Sequence, residues 1–117
     1  MDFVYNFQIH GVEWELQIVN PEDIEGLGEC DYWNYEIKIK SGFKNNQLMR
    51  VLRHELTHAF RWSYGNVSEM ELSNYPTEEI EEIICNTVEV HGENIIKLSK
   101  EIHGVLLKGG YFANEKD

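Results

Sequence analysis

Cysteine is scarce in this chain of 117 residues, and the two cysteines present, Cys30 and Cys85, lie far apart. Their separation does not match the short spacings of metal-binding cysteines, and two residues cannot build a disulfide framework. The sequence therefore indicates neither a disulfide-stapled fold nor a zinc ribbon.

Positive charge is also in short supply, because 10 Lys and Arg residues stand against 21 Asp and Glu residues, for a net charge of −11. Proteins that bind nucleic acid neutralise phosphates with clustered Lys and Arg. We therefore expect no nucleic-acid partner.

Long apolar runs are missing as well. No stretch approaches the ~18 apolar residues of a membrane-spanning helix, and residues 1–6 lack the basic segment and apolar core of a secretory signal. We also find no internal repeat, low-complexity tract or linker. These features predict a single domain over residues 1–117, a cytoplasmic location and no membrane partner.

The first forty residues show the two-residue period of strands. Residues 3–9 and 12–18 each alternate apolar and polar side chains, and His10-Gly11 between them suits a tight hairpin turn. A third alternating segment, Trp33–Lys40, carries lysines that suit a sheet edge. We expect Trp14 and Trp33 in the core and residues 20–28 in a loop.

The period then becomes helical. From about Asn45 to Ser63 the apolar residues form one stripe, and a second helix is predicted from Thr77, with acidic residues in its first turn. Gly92 is a position at which this second helix can bend or divide. The predicted fold class is α+β, with a small antiparallel-rich sheet of three or more strands packed on two helices.

The segment His54-Glu55-Leu56-Thr57-His58 lies in the first of these helices. Histidines four residues apart on a helix lie one turn apart, so both imidazoles can reach one metal ion. The intervening Glu can hold a metal-bound water, which is the H-E-x-x-H pattern of zinc peptidases. We predict His54 and His58 as ligands of Zn²⁺ and Glu55 as the catalytic general base.

A catalytic zinc site requires a third protein ligand. A metzincin would place Gly and His where this chain has Arg61 and Tyr64, so that class is excluded. The other common source is a glutamate of the following helix, and four candidates are present there: Glu78, Glu79, Glu81 and Glu82.

The motif residues 54–60, followed by Glu82-Ile83-Ile84-Cys85-Asn86, resemble small phage-associated zinc metallopeptidase-like proteins related to the ImmA/IrrE family, and more distantly the thermolysin-type gluzincins. The resemblance implies a minimal zincin-like domain with Glu82 as the third metal ligand. Glu82 lies opposite the apolar stripe of its helix, however, so Glu81 and Glu79 remain alternatives. By analogy, the substrate would be a protein or peptide, such as a repressor-type regulator.

These residues predict a zinc-dependent hydrolase that cleaves peptide bonds with a metal-activated water. Four residues are candidate donors to the developing oxyanion: Tyr64, Tyr75, His91 and Tyr111. Segment Trp33–Lys40 is the candidate edge for an extended peptide. Two alternatives remain open, namely a catalytically silent zinc-binding interaction domain and a metal-dependent hydrolase of a non-peptide amide.

Overall fold

The computed structural model describes residues 3–65 and 74–110. Within these residues the chain forms four strands, a short 3-10 helix at Pro21–Asp23 and two α-helices. The strands are β1 (Phe3–Ile9), β2 (Val12–Val19), β3 (Gly28–Asp31) and β4 (Glu36–Lys40), and the helices are α1 (Asn45–Ser63) and α2 (Thr77–Lys108). The predicted α+β class is confirmed. The segment between the two helices, residues 66–76, is predicted as a loop from its sequence and lies mostly outside the described residues.

The sheet is mixed, in the order β1-β2-β4-β3. The predicted hairpin is confirmed, because β1 and β2 pair antiparallel around His10 and Gly11, which both have positive φ. Strand β4 pairs parallel with β2 and antiparallel with β3. The sheet is therefore antiparallel-rich, as predicted. Strand β4 lies in its interior because it pairs with β2 on one side and with β3 on the other.

The third predicted strand needs three corrections. Trp33 and Asn34 lie in the β3–β4 turn, where both backbone N–H groups donate to the Asp31 carboxylate. Trp33 is 91% exposed, so its predicted core position is wrong. Strand β4 is flanked on both sides, and the edge strand next to it is β3, whose first residue, Gly28, ends the segment expected to be a loop.

One face of the sheet is buried and the other is polar, as the strand alternation requires. The buried face consists of Phe7, Ile9, Trp14, Leu16, Ile18, Ile37 and Ile39. Helix α1 covers this face with its own apolar stripe of Leu48, Leu52, Leu56, Ala59 and Phe60, and α2 adds Ile95, Ile102 and Leu106 to the same core. Packing on the sheet therefore fixes the position of the helix that carries the motif.

Helix α2 is continuous through Gly92, so it is not divided there, and it extends past Gly104 to Lys108. Its buried stripe begins at Thr87 and continues through His91, Ile95, Ser99, Ile102 and Leu106. No residue from Thr77 to Asn86 is buried. No helix among the described residues combines the length and apolar character needed to cross a bilayer.

Candidate metal and hydrolase site

Helix α1 brings the two motif histidines together. The Nε2 atoms of His54 and His58 lie 3.1 Å apart, and their rings are nearly perpendicular, at 82°. The four-residue spacing on a regular helix produces this proximity directly. The predicted pairing of the two imidazoles is present in the structure.

The separation of the two nitrogens matches a shared cation. With Zn–N bonds of ~2.0–2.1 Å, two nitrogens bound tetrahedrally to one zinc ion lie about 3.3 Å apart. The observed 3.1 Å requires only a small ring movement to reach that value. The two imidazoles are therefore close enough for one cation to bind between them, although in the structure their nitrogens lie at hydrogen-bond distance from each other.

Arg61 makes a contact that bears on this fit. The Nη2 atom of Arg61 lies 2.9 Å from Nδ1 of His58, which is one helical turn earlier on α1. Because a guanidinium is only a donor, Nδ1 of His58 accepts this bond, and a neutral His58 then carries its proton on Nε2. Metal binding through Nε2 would move that proton to Nδ1, where it would face the Arg61 donor.

Glu55 is held inside the fold rather than in solvent. It is 5% exposed and packs against β3, where a Cβ atom added at Gly28 would lie 3.1 Å from Glu55 Cγ and 3.2 Å from Oε2. A side chain at position 28 would require these neighbouring atoms to move by a few tenths of an ångström, and glycine avoids that crowding. Glu55 and His54 share a cavity of about 550 Å³ with Gly28. The predicted base and one predicted ligand therefore line one cleft beside the edge strand.

Cys30 on β3 lies close enough to Glu55 for the negative charge of that side chain to affect the pKa of the Cys30 thiol. Burial raises the pKa of the Cys30 thiol, and the nearby negative charges of Glu55 and Asp31 raise it further, against an opposing effect of Arg61. A thiol in this environment stays protonated and is a poor nucleophile. Cys30 is therefore not a candidate nucleophile.

Arg50 also lines the cleft, although it is not among the residues predicted from the sequence. It precedes His54 by four residues, so the helical spacing alone places it on the same face. An exposed guanidinium at this position can donate to a carbonyl or carboxylate of a bound molecule. The i−4 spacing is the signal by which sequence reasoning could have found it.

The glutamates proposed as third ligand lie on the exposed first part of α2. Glu79, Glu81 and Glu82 are all exposed. Within residues 3–65 and 74–110, no three His, Cys, Asp or Glu side chains are grouped closely enough to hold one metal ion. The structure therefore brings His54 and His58 together but does not bring Glu82 to them.

The three described candidates for the oxyanion donor, Tyr64, Tyr75 and His91, do not line this cleft. Tyr64 stacks on His91, with ring centroids 4.3 Å apart, and also contacts His10. Tyr64 lines a different cavity, at the hairpin end of the molecule. Tyr75 is exposed, and Tyr111 lies outside the described residues. Arg50 and Gln47 are the described side-chain donors that line the cleft with His54 and Glu55.

Comparison with known proteins adds no relative: no family model, no curated protein and no solved structure matches this chain.

Proposed function

We propose that this chain is a zinc-dependent peptidase of the zincin type. The observation that carries the proposal is the pair of Nε2 atoms 3.1 Å apart on α1, next to a buried glutamate that faces the edge strand. Two imidazoles and a carboxylate on consecutive turns of one helix are the ligand and base set of a hydrolytic metal site.

Each residue has a distinct role in the proposal. His54 and His58 bind Zn²⁺, which when bound polarises a water molecule and a carbonyl. Glu55 takes a proton from the attacking water and delivers it to the leaving amine. Arg50 donates to the substrate carbonyl oxygen as negative charge develops there.

The edge strand supplies the place for a peptide. Strand β3 ends the described sheet on the side of the cleft, and its first residue, Gly28, contacts Glu55. An extended peptide that adds to the outer edge of β3 by backbone hydrogen bonds would pass next to this carboxylate. In this proposal the peptide pairs with β3 and not with segment Trp33–Lys40, which was the edge expected from the sequence.

The third ligand in the proposal is a glutamate of α2, with Glu82 first and Glu81 and Glu79 as alternatives. At ~100° per residue, Glu79 lies about 40° around α2 from Ile83 and Glu82 about 100°. Ile83 is half-buried and continues the buried stripe back from Thr87. The helical geometry therefore places Glu79 nearer to the buried stripe than Glu82, which the sequence resemblance favours. Cys85 and Asn86, the other residues of the matched segment, are both exposed.

Zinc content and peptide cleavage test the proposal together. We expect wild-type protein to bind one zinc ion and to cleave peptides in a proteome digest, read out by mass spectrometry. Glu55→Gln should keep zinc and lose at least about a hundredfold in cleavage rate, because a positioned general base contributes about 10²–10⁴-fold. His58→Ala should lose zinc, while the exposed Glu93→Gln control should keep both properties.

A zinc-binding domain without turnover is the second candidate function. One observation favours it: Glu55 is only 5% exposed and packs against Gly28, which limits the access of a substrate to the proposed base. If wild type binds zinc through His54 and His58 but cleaves no faster than Glu55→Gln, this function replaces the peptidase. If wild type binds no zinc, both proposals fail.

A further inference from the structure

A second cavity lies between the beginning of α1 and the last third of α2, and it is basic. It measures about 810 Å³ and is lined by Lys44, Asn45, Asn46, Met49, Arg50, Arg53, Lys100 and His103. Four of the 10 Lys and Arg residues of the chain are in this set, and none of the eight residues is acidic. A chain of net charge −11 thus concentrates positive charge in one place.

The sequence shows how this concentration arises. Residues 37–54 contain five Lys and Arg residues and no Asp or Glu, in a chain with 21 acidic residues. Asn46, Arg50 and Arg53 follow at helical spacing, which puts them on one side of α1. The positive end of the α1 dipole, at Asn45, adds to the same field.

One of these cations is held in place. Arg53 donates from Nε to the Ser99 hydroxyl at 3.0 Å, and Ser99 donates to the Ile96 carbonyl at 2.7 Å. Ser99 is fully buried, so the bond fixes the plane of the guanidinium between the two helices. A guanidinium has four further N–H donors, in the fork geometry that matches phosphate and carboxylate.

We propose that this cavity binds a small molecule carrying two or more phosphate groups. The volume is within the ~300–1,000 Å³ range of small-molecule sites. Two arginines favour phosphate, because each can donate two parallel bonds to one phosphate group. A long polyanion such as nucleic acid would extend beyond the cavity and meet the negative field of the remaining surface.

The proposal does not depend on the metal site. Arg50 is the only residue common to the linings of this cavity and the motif cleft, so the two sites adjoin at one side chain. A phosphate probe could also coordinate a metal ion at His54 and His58. The binding experiment therefore uses metal-free protein in the presence of a chelator.

Isothermal titration with sodium tripolyphosphate tests the site. We expect saturable binding with one molecule per chain, which weakens as salt is raised from 50 to 200 mM. The double variant Arg50→Gln/Lys100→Gln should bind at least about tenfold more weakly for each cation removed, because hydrogen bonds to charged groups are strong. The control Lys97→Gln, on the same helix and equally exposed, should bind like wild type.

Amide chemical shifts locate the site independently of affinity. We expect perturbations in residues 44–53 and 99–103, with the same pattern in His58→Ala. Absence of binding at millimolar tripolyphosphate would overturn the proposal, as would equal weakening by Lys97→Gln and the double variant. Binding of a poly-glutamate peptide in preference to tripolyphosphate would also overturn it, since the occupant would then be an acidic chain.

Discussion

The contact between Arg61 and His58 would place two hydrogen-bond donors against each other once a metal is bound. These donors are the Arg61 guanidinium and the N–H at Nδ1 of His58. Metal-binding histidines usually donate their second ring N–H to an acceptor such as a carboxylate or a carbonyl. Here the side chain 2.9 Å from Nδ1 is a guanidinium, which has no acceptor. Arg61 therefore opposes the tautomer of His58 that binds metal through Nε2.

Replacing Arg61 with an acceptor should strengthen metal binding. In Arg61→Gln the amide oxygen can accept from Nδ1–H, and we expect zinc to bind about tenfold more tightly, the lower end of second-shell effects. Competition with a chromophoric chelator measures this affinity. Arg53→Gln, which alters a cation on another side of α1, should leave it unchanged. Weaker zinc binding by Arg61→Gln would show that the guanidinium supports the site.

His91 is a buried base on α2 whose neighbours are aromatic. Its ring lies against Phe60 and Tyr64, and burial lowers the pKa of His91 below its ordinary value of 6.5. The unfolded chain therefore binds a proton at a higher pH than the folded chain does. The resulting stability is complete above about pH 6.5 and declines as the pH falls from there toward the folded-state pKa.

Chemical denaturation between pH 7.5 and 5 tests this linkage. We expect the free energy of unfolding of wild type to fall as the pH is lowered, and to fall less in His91→Phe, which cannot take up a proton. The control is His10→Asn at the hairpin turn, because His10 is exposed and Asn tolerates its positive φ. Equal pH slopes in wild type and His91→Phe would contradict the linkage.

At the scale of elements, α2 is a single helix although two glycines interrupt its sequence pattern. Gly92 and Gly104 have helical neighbours on both sides. A Cβ atom at Gly104 would meet nothing within 4 Å, and one at Gly92 would meet Val88 Cγ1 at an ordinary 3.5 Å. Tertiary packing of the buried stripe maintains a helix that local preference alone would interrupt.

Alanine at either glycine should therefore stabilise the protein. We expect Gly92→Ala and Gly104→Ala each to raise the free energy of unfolding by about 0.5–1 kcal/mol, because alanine loses less backbone entropy in a helix. Thermal and urea denaturation measure the change. Gly42→Ala is the matched contrast and should destabilise, since Gly42 has φ of +97°. A loss of stability in Gly92→Ala would indicate the bend expected from the sequence.

Periodicity was enough to predict the hairpin, α1 and the start of α2, because each repeats its apolar spacing over several turns or pleats. Strand β3 was not predictable in this way. It has only four residues, Gly-Glu-Cys-Asp, and gains its place by pairing with β4 and packing on α1. The order of strands depends on these long-range contacts, and it decides which strand lies beside the cleft.

The site shows the same division between local and long-range information. The pairing of His54 and His58 follows from a spacing of four on one helix. The proposed third ligand lies on another element, and the contacts of Gly28 and Arg61 depend on how β3 and the end of α1 pack. No pattern within one segment encodes such contacts between segments. Residue types at fixed spacing thus predict the ligand pair but not its surroundings.

At the scale of the whole molecule, acidic and basic side chains lie in different places, which the net charge alone does not show. The start of α2 carries Glu78, Glu79, Glu81 and Glu82, whereas the cations gather where α1 begins and α2 ends. The motif cleft adjoins the basic cavity at Arg50. An approaching anionic group is therefore drawn to this side of the molecule despite the overall charge of −11.

Zinc K-edge X-ray absorption of the reconstituted protein tests the central claim most directly. We expect two imidazole nitrogens at ~2.0–2.1 Å with the remaining ligands oxygen, and loss of one imidazole or of the metal in His58→Ala. Loss of one oxygen ligand in Glu82→Gln or in Glu79→Gln would identify the third side chain. A protein that takes up no zinc, or a spectrum unchanged in both His54→Ala and His58→Ala, would contradict the account.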